Sequence, residues 1–387
     1  MSPRRQPVLG ILGGGQLARM LALAAAPLGV KTLVVDSVAD ACAGQVAPLV
    51  VADWKDYEAL ERFAAMVDVV TFDFENVPAE TAHWLAGRVA VSPVPGALAV
   101  AQDRLAEKTL FRECGLDTPA FVAVDTREDL DRAIVEVGAP AILKTRRLGY
   151  DGKGQFRLKT AADADAAWAA LGAQGAVHGL ILEAFVPFER ELSVIAVRNR
   201  EGDFRTWPLT RNWHTDGVLS LSLAPAPDID ELQRRATDLA RTLAERLDYV
   251  GVFALELFVK DGQLLGNEMA PRVHNSGHWT IEGAHTSQFE NHVRAVLGMP
   301  LGDTGARGLS CMFNWIGDLP DPAPVLTTAD AHWHDYGKQA RPGRKVGHAT
   351  ICAPDEDTLA GRVGHVARSL DREEQANPVL QVLAQPV

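Results

Sequence analysis

Short apolar segments alternate with amphipathic stretches in the first hundred residues. The apolar segments predict the strands Val8–Leu12, Lys31–Val35 and Val67–Phe72, and the first amphipathic stretch predicts a helix from Gln16 to about Ala26. Short strands that alternate with helices are typical of a parallel sheet with helices on both faces. Ligands of such sheets bind at the carboxyl ends of the strands. In this chain those ends carry Gly13–Gln16, Asp36 and Glu75.

Beyond residue 100 the pattern indicates helices and strands in a mixed arrangement. The predicted helices are Gln102–Cys114, Arg127–Val137, Ala161–Leu171, Asp228–Leu247 and His285–Val296. The predicted strands are Phe121–Val124, Ala141–Lys144, Gln155–Lys159, Leu180–Glu183, Leu192–Arg198, Arg205–Pro208, Val250–Lys260 and Gln263–Met269. The last two strands flank Asp261-Gly262, a turn sequence typical of a β-hairpin. Proline and glycine at 91–96 and 299–302 mark the ends of two regions.

The composition indicates a folded protein with more than one core. The chain has 387 residues, of which 47% are apolar and 23% charged, and this length predicts two to three domains. Its net charge is −12, whereas nucleic-acid binding proteins more often carry a basic excess. No apolar stretch reaches the roughly 20 residues of a membrane span. The four cysteines, Cys42, Cys114, Cys311 and Cys352, lack metal-ligand or redox-motif spacing. We therefore expect a cytoplasmic protein with free thiols that binds neither nucleic acid nor membrane.

A first glycine-rich loop follows the first predicted strand. Gly13, Gly15 and Ala18 match the pattern G-x-G-x-x-A. Glycines there let backbone N–H groups approach a phosphate at a helix N-terminus, and Asp36 at the next strand end would bind a ribose. The pattern alone leaves three interpretations open: a nicotinamide dinucleotide site, a site for another phosphate ligand, and a purely structural tight turn.

A second glycine-rich loop, Gly149–Gln155, lies between two predicted strands, which is not the context of a Walker loop. Its backbone could fold over phosphates, and Lys144 at the end of the preceding strand offers a point charge for a phosphate oxygen. The backbone around Glu183 could bind an adenine edge, and Glu191 could accept from ribose hydroxyls. Taken singly, the loop could also be an ordinary flexible hairpin and the acids could be solvated surface residues.

Two carboxylates lie on the predicted hairpin. Glu256 is flanked by apolar residues, and Glu268 lies on the partner strand beside Asn267. A carboxylate in so apolar a strand is costly to bury without a cation or hydrogen bonds, and a second one nearby raises one of the two pKa values unless a cation lies between them. Oxygen ligands beside a bound triphosphate suit Mg²⁺. A strict two-residue turn would pair Glu256 with Asn267. We predict a three-residue loop at Asp261–Gln263, or an equivalent bulge, that pairs Glu256 with Glu268 on one face.

Two further stretches could bind anions. His274 and His278 are four residues apart, but Asn275–Gly277 between them disfavours a helix and with it a zinc site. We expect instead a loop that offers Arg272 and polar donors to an anionic substrate. The stretch 336–348 is rich in Lys and Arg although the protein is acidic. It is either a solvated basic loop or a phosphate clamp that closes from the last domain.

Together these features resemble the ATP-grasp family. The resemblance rests on Gly13–Leu17, Gly149–Gln155, Glu256 with Asn267-Glu268, Arg272–Trp279 and Arg341–His348, and it extends from about Val8 to about Ile351. It implies an ATP-grasp fold of mixed α/β and α+β class. Three domains are implied: a Rossmann-like N-terminal domain at 1–100, an ATP-grasp domain at 101–302 with a lid at about 118–186, and a small mixed C-terminal domain at 303–387.

The resemblance also implies roles for individual residues. ATP would be bound by Arg104, Lys144, Gly149, Tyr150, Asp151, Gly152, Lys153, Gly154, Gln155, Glu183, Ala184, Phe185, Val186, Glu191, His214, Asn267 and Glu268. The second substrate would be bound by Gly15, Gln16, Leu17, Glu75, Tyr150, Asp151, Arg272, His274, Asn275, Ser276, Lys338, Arg344 and Lys345. Glu256 and Glu268 would hold Mg²⁺, and Lys144, Arg272 and Asp151 would be catalytic. Arg211 and Trp213, beside His214, differ from the pattern of related enzymes.

Within the family, the chain is most similar to homodimeric enzymes that carboxylate aminoimidazole ribonucleotide with ATP and bicarbonate, through carboxyphosphate, in purine biosynthesis. Lys144, a metal and Arg272 would then neutralise charge during phosphoryl transfer. The alternatives are another ATP-grasp ligase (a formate-using ribonucleotide transformylase or a biotin carboxylase-like enzyme), a nicotinamide-dependent dehydrogenase, and a nucleotide-sensing module without catalysis.

Overall fold

The computed structural model describes residues 5–149, 154–227 and 229–385. Its N-terminal part contains a parallel sheet of five strands in the order β3-β2-β1-β4-β5. The strands are β1 (Val8–Leu12), β2 (Lys31–Asp36), β3 (Leu49–Val51), β4 (Val69–Phe72) and β5 (Ala90–Val91). The accompanying helices are α1 (Gln16–Ala25), α2 (Tyr57–Ala64), α3 (Ala79–Ala86) and α4 (Pro95–Ala101), with 3-10 turns at Ala26–Leu28 and Cys42–Gln45. Both faces of β1 are buried, as expected for the centre of such a sheet.

A small antiparallel sheet follows, with strand order β6-β9-β7-β8. Helix α5 (Arg104–Glu113) precedes it, and the strands are β6 (Phe121–Val124), β7 (Ala141–Thr145), β8 (Gln155–Leu158) and β9 (Leu180–Ala184). Helices α6 (Arg127–Val137) and α7 (Ala164–His178), the latter preceded by a 3-10 turn at Ala161–Asp163, cover one face. Thr126 and Asp129 form a capping box that begins α6.

The remaining strands described by the structure form one large antiparallel sheet in the order β15-β14-β10-β12-β13-β16-β18-β17, with β11 paired to β10. The strands are β10 (Arg190–Arg198), β11 (Phe204–Thr206), β12 (Thr210–Thr215), β13 (Val218–Ala224), β14 (Gly251–Lys260), β15 (Gln263–Ala270), β16 (Leu309–Ile316), β17 (Ala331–Asp335) and β18 (Lys345–Ala353). The helices are α8 (Asp230–Arg246), α9 (Thr280–Gly283), α10 (Gln288–Val296), α11 (Ala323–Leu326), α12 (Glu356–Ser369) and α13 (Glu373–Leu383), with a 3-10 turn at Asn275–Gly277.

Helix α5 is anchored by its capping residue. The Asp103 carboxylate accepts hydrogen bonds from Leu105 N at 3.0 Å and Ala106 N at 3.5 Å. The same carboxylate receives Arg146, just beyond β7, through bonds of 3.1 and 2.8 Å. A side-chain N-cap satisfies amides that the helix itself leaves unpaired. Asp103 therefore joins α5 to the small sheet and sets the position of the charged side chains that follow it.

The strand and helix predictions agree with the structure in most places and fail in a few. The helix predicted at 161–171 extends to His178, because alanine-rich sequence continues as far as Gly179. Strands β3, β5, β12, β13 and β16–β18 were not predicted individually, and β16–β18 join the large sheet through pairing of β16 with β13. The domain boundaries given above stay predictions. No helix in the described part of the chain combines the length and apolar character needed to cross a bilayer.

Candidate active site

Acidic side chains of the protein itself occupy the first glycine-rich loop. The Asp73 carboxylate accepts from Gly15 N at 3.1 Å and from Ala18 N at 2.7 Å. Asp36 accepts from Gly14 N at 2.6 Å. A Cβ at Gly15 would lie 2.5 Å from Asp73 Oδ2, so this approach requires glycine. Asp73 thus covers the N-terminus of α1 where a pyrophosphate would bind.

This arrangement bears on three sequence-based expectations: it corrects the ribose-binding role of Asp36, whereas the roles of Gly15 and Leu17 in binding the second substrate stay predictions. Asp36 holds the loop backbone rather than a ribose, which removes the basis of the dinucleotide interpretation. Gly15, predicted to face the second substrate, donates its N–H to Asp73. The side chain of Leu17, also predicted there, is buried in the core. Only Gln16 of this segment presents its side chain to another predicted site residue, as described below.

A cluster of buried charges lies where α5 meets the small sheet; we call Lys108, Lys144 and Glu183 the lysine cluster. Lys144 Nζ lies 2.9 Å from Glu183 Oε2, and Lys108 Nζ lies 3.4 Å from the same oxygen. Burial by itself would raise the pKa of Glu183, but Lys144, Lys108 and Arg104 outweigh it and lower the pKa to about 2. Burial lowers the pKa of Lys144, although Glu183 opposes that shift. Glu183 Oε1 is buried and has no partner among the described residues.

Sequence reasoning missed Lys108 and its neighbour Glu107. The Lys108 side chain is fully buried, and its Nζ donates to the Asn267 carbonyl at 3.1 Å. Glu107 Oε1 accepts from Met269 N at 2.6 Å. Arg104, Glu107 and Lys108 are spaced i, i+3 and i+4, which places them on one helix face. That spacing was the available signal, but charged residues on one helical face more often contact solvent.

The two hairpin carboxylates, Glu256 and Glu268, are paired on one face as predicted. The turn has two residues, since Lys260 pairs with Gln263, so the three-residue loop was wrong. The alternative of a bulge is confirmed: Glu256 pairs with Glu268 and Leu257 with Gly266, which leaves Asn267 as the extra residue. We call Glu256 and Glu268 the carboxylate pair.

The carboxylate pair is electrostatically asymmetric. Burial and the charge of Glu268 raise the pKa of Glu256 to about 7. Burial would also raise the pKa of Glu268, but Arg104 and Lys144 outweigh it and lower that pKa. Arg104 donates to Glu268 Oε2 at 3.1 Å and approaches the Gly149 carbonyl at 3.5 Å. Arg104 therefore connects the lysine cluster, the carboxylate pair and the second glycine-rich loop.

The carboxylate pair fits one kind of metal better than another. Within the described residues, no group of three or more His, Cys, Asp or Glu side chains could hold a metal ion. Zinc prefers three or four such protein ligands. Mg²⁺ instead binds through one or two carboxylates and completes its shell with water and substrate phosphates. The two acidic oxygen donors of this pair suit Mg²⁺.

Other residues predicted to bind nucleotide are placed as follows. His214 Nδ1 lies 2.5 Å from Glu191 Oε2, so one oxygen of the predicted ribose acceptor is already engaged. The N–H groups of Ala184 and Phe185 donate to the carbonyls of Ala120 and Pro140, so other backbone groups of segment 183–186 would have to bind adenine.

In the second glycine-rich loop, Tyr150, Asp151, Gly152 and Lys153 lie outside the described residues. Gly154 and Gln155 follow them, with the Gly154 carbonyl accepting from Thr145 N and Gln155 paired to Lys144 in the sheet register.

Strand β12 carries Arg211 and Trp213, the two residues that differ from the pattern of related enzymes. The Arg211 guanidinium lies 5.1 Å from the centre of the Trp213 ring, which is within cation–π range. His214 follows them and contacts Glu191. Burial lowers the pKa of His214, but the Glu191 hydrogen bond and Glu256 outweigh it and raise that pKa. Arg211 and Trp213 therefore contact each other, and His214 remains hydrogen-bonded to Glu191.

Arg272 and Lys345 lie close to the carboxylate pair, and Lys338 lies close to Lys345. Arg272 donates to Glu75, and Lys338 donates to the Gln16 side chain. The Glu75 side chain is partly buried, which would raise its pKa, but Arg272 outweighs this effect and lowers the pKa. Lys345 lies close enough to help lower the pKa of both Glu75 and Glu256. Arg344, by contrast, donates to the Gln339 carbonyl of its own loop at 3.2 Å.

The segment Arg272–Ser276 completes the site. His274 Nε2 lies 3.2 Å from Glu256 Oε1, and His274 Nδ1 lies 2.9 Å from Ser276 Oγ. Burial and nearby Arg272 hold the pKa of His274 well below its usual value, so the ring is neutral. The Asn275 side chain is buried, and neither its oxygen nor its nitrogen has a partner in the described structure. Such orphaned polar atoms are costly unless a ligand or water pairs with them.

Comparison with known proteins adds independent information. Three family models match: the ribonucleotide synthetase preATP-grasp domain at residues 7–102, the ATP-grasp domain at 109–289, and the phosphoribosylaminoimidazole carboxylase C-terminal domain at 310–362. The N5-carboxyaminoimidazole ribonucleotide synthase of Pseudomonas aeruginosa is 51% identical over 358 residues, which cover 92% of this chain and 98% of that protein. The chain belongs to the N5-carboxyaminoimidazole ribonucleotide synthase family.

Solved structures agree with this family membership. The N5-carboxyaminoimidazole ribonucleotide synthetase of Thermus thermophilus has a TM-score of 0.89 at 53% identity, covering 93% of this chain and 98% of that one. The Aspergillus clavatus N5-carboxyaminoimidazole synthase, in complex with ADP and 5-aminoimidazole ribonucleotide, has a TM-score of 0.87 at 31% identity over 95% of this chain and 99% of that one. The synthase family therefore accounts for the ATP-grasp fold and its preATP-grasp domain, both confirmed.

Proposed function

We propose that this chain uses ATP to carboxylate the exocyclic amine of aminoimidazole ribonucleotide with bicarbonate, producing N5-carboxyaminoimidazole ribonucleotide, ADP and phosphate in purine biosynthesis. The observation that carries the proposal is the position of Arg272. It pairs with Glu75 and lies beside the carboxylate pair, while Lys338 reaches Gln16 from the C-terminal region. A nucleotide part and an anion-binding part thus adjoin in one site.

The first step is phosphoryl transfer to bicarbonate. A bicarbonate oxygen attacks the γ-phosphorus of ATP, the bond from that phosphorus to the β,γ-bridging oxygen breaks, and ADP leaves with the electron pair. The product of the attack is carboxyphosphate. Such transfers depend on charge neutralisation and positioning more than on a covalent nucleophile. Lys144 would contact phosphate oxygens, since Glu183 already holds its ammonium in place. Arg272 would stabilise the charge of bicarbonate and carboxyphosphate.

The second step forms the carbon–nitrogen bond. The exocyclic amine of the ribonucleotide attacks the carboxyl carbon of carboxyphosphate, or the carbon dioxide that it releases, and inorganic phosphate departs. The amine loses one proton, for which we propose Asp151 as acceptor; the family resemblance implies that this residue is catalytic, and it lies outside the described residues. Asn275 would pair its two unsatisfied side-chain atoms with the substrate. Gln16, Lys338 and Lys345 would hold the ribonucleotide phosphate, together with Arg344 if its side chain leaves the Gln339 carbonyl.

Mg²⁺ belongs to the proposal as the ion that the carboxylate pair would hold. When bound, it would neutralise phosphate charge and orient the triphosphate. Its charge would also oppose the burial and the repulsion by Glu268 that together raise the pKa of Glu256. We further propose a cytoplasmic homodimer, supported by the family resemblance and by four cysteines that are free in the structure. Light scattering should then give twice the chain mass of 41.7 kDa.

The direct test is ADP release from MgATP and bicarbonate, with and without aminoimidazole ribonucleotide. We expect strong stimulation by the ribonucleotide that disappears when bicarbonate is removed. ATP binding without stimulation would leave the ATP-grasp fold intact and overturn the assignment of the second substrate. Replacing bicarbonate by formate in a parallel assay identifies a formate-using relative.

A further inference from the structure

Four polar side chains lie buried behind His274 in otherwise apolar surroundings. Ser193 on β10, Asn212 on β12, Ser222 on β13 and Ser276 in the 3-10 turn are all nearly inaccessible to solvent. Burying a hydroxyl or an amide is costly unless it is hydrogen-bonded. Of the four, only Ser276 was predicted to bind a substrate, so the other three require a separate explanation.

These side chains form one continuous series of hydrogen bonds. Ser222 Oγ donates to Asn212 Oδ1 at 2.8 Å, and Asn212 Nδ2 donates to Ser193 Oγ at 3.0 Å. Ser193 Oγ donates to Ser276 Oγ at 2.7 Å, and Ser276 Oγ lies 2.9 Å from His274 Nδ1. The sheet register brings them together, because Asn212 pairs with Ser222 and Ser193 pairs with Glu256.

The series has a direction, because the two ends of the Asn212 amide are chemically different. Its oxygen can only accept, from Ser222, and its nitrogen can only donate, to Ser193. Ser193 then donates onward to Ser276, which leaves the Ser276 hydrogen for His274 Nδ1. Ser276 N also donates to Nδ1, at 3.3 Å. Nδ1 is therefore the acceptor nitrogen of the neutral ring, and Nε2 carries the hydrogen that faces Glu256 Oε1 at 3.2 Å.

The main chain of His274 is held separately. Gln288 Oε1 accepts from His274 N at 2.9 Å, and Gln288 Nε2 donates to the His274 carbonyl at 2.6 Å. The backbone is thus clamped by Gln288, and the hydrogen-bond series is left to set the tautomer and the rotation of the ring. In metal sites, a residue that hydrogen-bonds to a metal ligand commonly orients that ligand in the same way.

We propose that Ser193, Asn212 and Ser222 are positioning residues, which hold His274 in the Nε2–H tautomer so that it donates to Glu256 Oε1 and orients that carboxylate toward Glu268. The importance of this orientation for turnover rests on the function proposed above. The tautomer itself is a property of the protein without substrates, so the two can be tested apart.

The first test reverses the direction of the series with an isosteric change. In Asn212→Asp, both carboxylate oxygens accept, so Ser193 turns its hydrogen toward residue 212. Ser276 then donates to Ser193 instead of to His274, and its oxygen accepts a hydrogen from Nδ1. We expect the side-chain ¹⁵N spectrum of ¹⁵N-histidine-labelled protein to show loss of the acceptor-type Nδ1 signal of His274, assigned with His274→Gln. Asn314→Asp is the matched control, because Asn314 is a buried asparagine of the same sheet that donates to the Leu219 carbonyl.

The second test interrupts the series without adding charge. Ser193→Ala should lower kcat for ribonucleotide-dependent ADP release by about tenfold, the range seen when such supporting partners are removed, and leave the KM for ATP within about twofold. Ser193→Thr, which keeps the hydroxyl, should restore kcat. This variant pair also covers the case in which Asn212→Asp does not fold.

The outcomes separate the two proposals. An unchanged His274 spectrum in both Asn212→Asp and Ser193→Ala would overturn the positioning role. Equal loss of kcat in Ser193→Ala and Ser193→Thr would overturn it as well, since the hydroxyl would then not matter. A wild-type enzyme that shows the expected tautomer but no ribonucleotide-stimulated ADP release would instead contradict the proposed function.

Discussion

The lysine cluster and the carboxylate pair both lie near Arg104, and they differ in how their buried negative charge is compensated. Glu183 is nearly inaccessible, yet two ammonium groups and Arg104 lower its pKa to about 2. On the other side, burial and the charge of Glu268 raise the pKa of Glu107 to about 8 and that of Glu256 to about 7. Burial alone would raise the pKa of all three acids, so the neighbouring charges decide the sign.

The difference has a functional meaning. The lysine cluster is compensated within the protein, so its Lys144 ammonium is held in place before any ligand arrives. The carboxylate pair holds excess negative charge that a cation would relieve. Under the proposed function, a divalent ion that arrives with the triphosphate would relieve this charge, and the following changes test each side in turn.

The largest effect should come from removing Lys144, the cation that we propose contacts the phosphates. We expect Lys144→Ala to lower the rate of ADP formation by about 100-fold or more, the loss typical when one charge-stabilising group is removed. Glu183 retains Lys108 as a partner, so the fold should persist. Lys159→Ala, an exposed lysine of the same region, is the control. Near-normal turnover of Lys144→Ala at saturating ATP would contradict the role of Lys144.

The second largest effect should be a loss of stability when Glu183, the acid shared by the two lysines, is replaced. Glu183→Gln leaves two buried ammonium groups without their carboxylate, which costs about 3 kcal/mol of unfolding free energy. Urea denaturation at pH 7 measures this difference. Glu136→Gln, at an exposed position of α6, should change stability little.

The stability difference between wild type and Glu183→Gln should depend on pH. The pKa of Glu183 is lowered from 4.5 to about 2 on folding, so its contribution is complete above pH 4.5 and is lost as the pH falls toward 2. The stability difference between wild type and Glu183→Gln should therefore shrink below pH 4.5. A constant difference across that range would show that the lysine cluster does not act through this carboxylate.

Glu107 should show the opposite pH dependence, with a smaller effect. Its pKa is raised from 4.5 to about 8 on folding, so its contribution is complete below pH 4.5 and is lost as the pH rises through 8. In metal-free buffer, wild type should lose stability relative to Glu107→Gln as the pH rises from 5 to 8, by on the order of 1 kcal/mol per pH unit. Parallel pH profiles of the two proteins would contradict the excess negative charge inferred for this side.

A variant outside both regions gives the smallest effect and separates the two substrates. Lys338→Ala should raise the KM for the ribonucleotide by about tenfold, the value of one charged hydrogen bond, and leave the KM for ATP unchanged. Arg341→Ala, at an exposed position of the same loop, should leave both constants near wild type. A rise in the KM for ATP alone would place Lys338 with the nucleotide.

Local chemistry made some of the site predictable. The pairing of Glu256 with Glu268 followed from a strand periodicity of two and from the cost of an acid among apolar residues, although Asn267 achieves it as a bulge rather than through the turn. Asp73 was not predictable as the group that closes the first glycine-rich loop, because the same glycine spacing serves an external phosphate. Lys108 was missed for a related reason: a lysine in an amphipathic helix normally contacts solvent.

The sequence by itself determined the order of most strands and helices, the two glycine-rich loops and the residue types that mark an ATP-grasp protein. These properties depend on neighbours along the chain, through periodicity, turn preference and the chemistry of single side chains. Only the tertiary structure decided which acids are paired with cations, which carboxylates are left with excess charge, and which serines stand behind His274. Those outcomes depend on contacts between strands and helices far apart in the chain, where a shift of one residue in register reverses which face a side chain occupies.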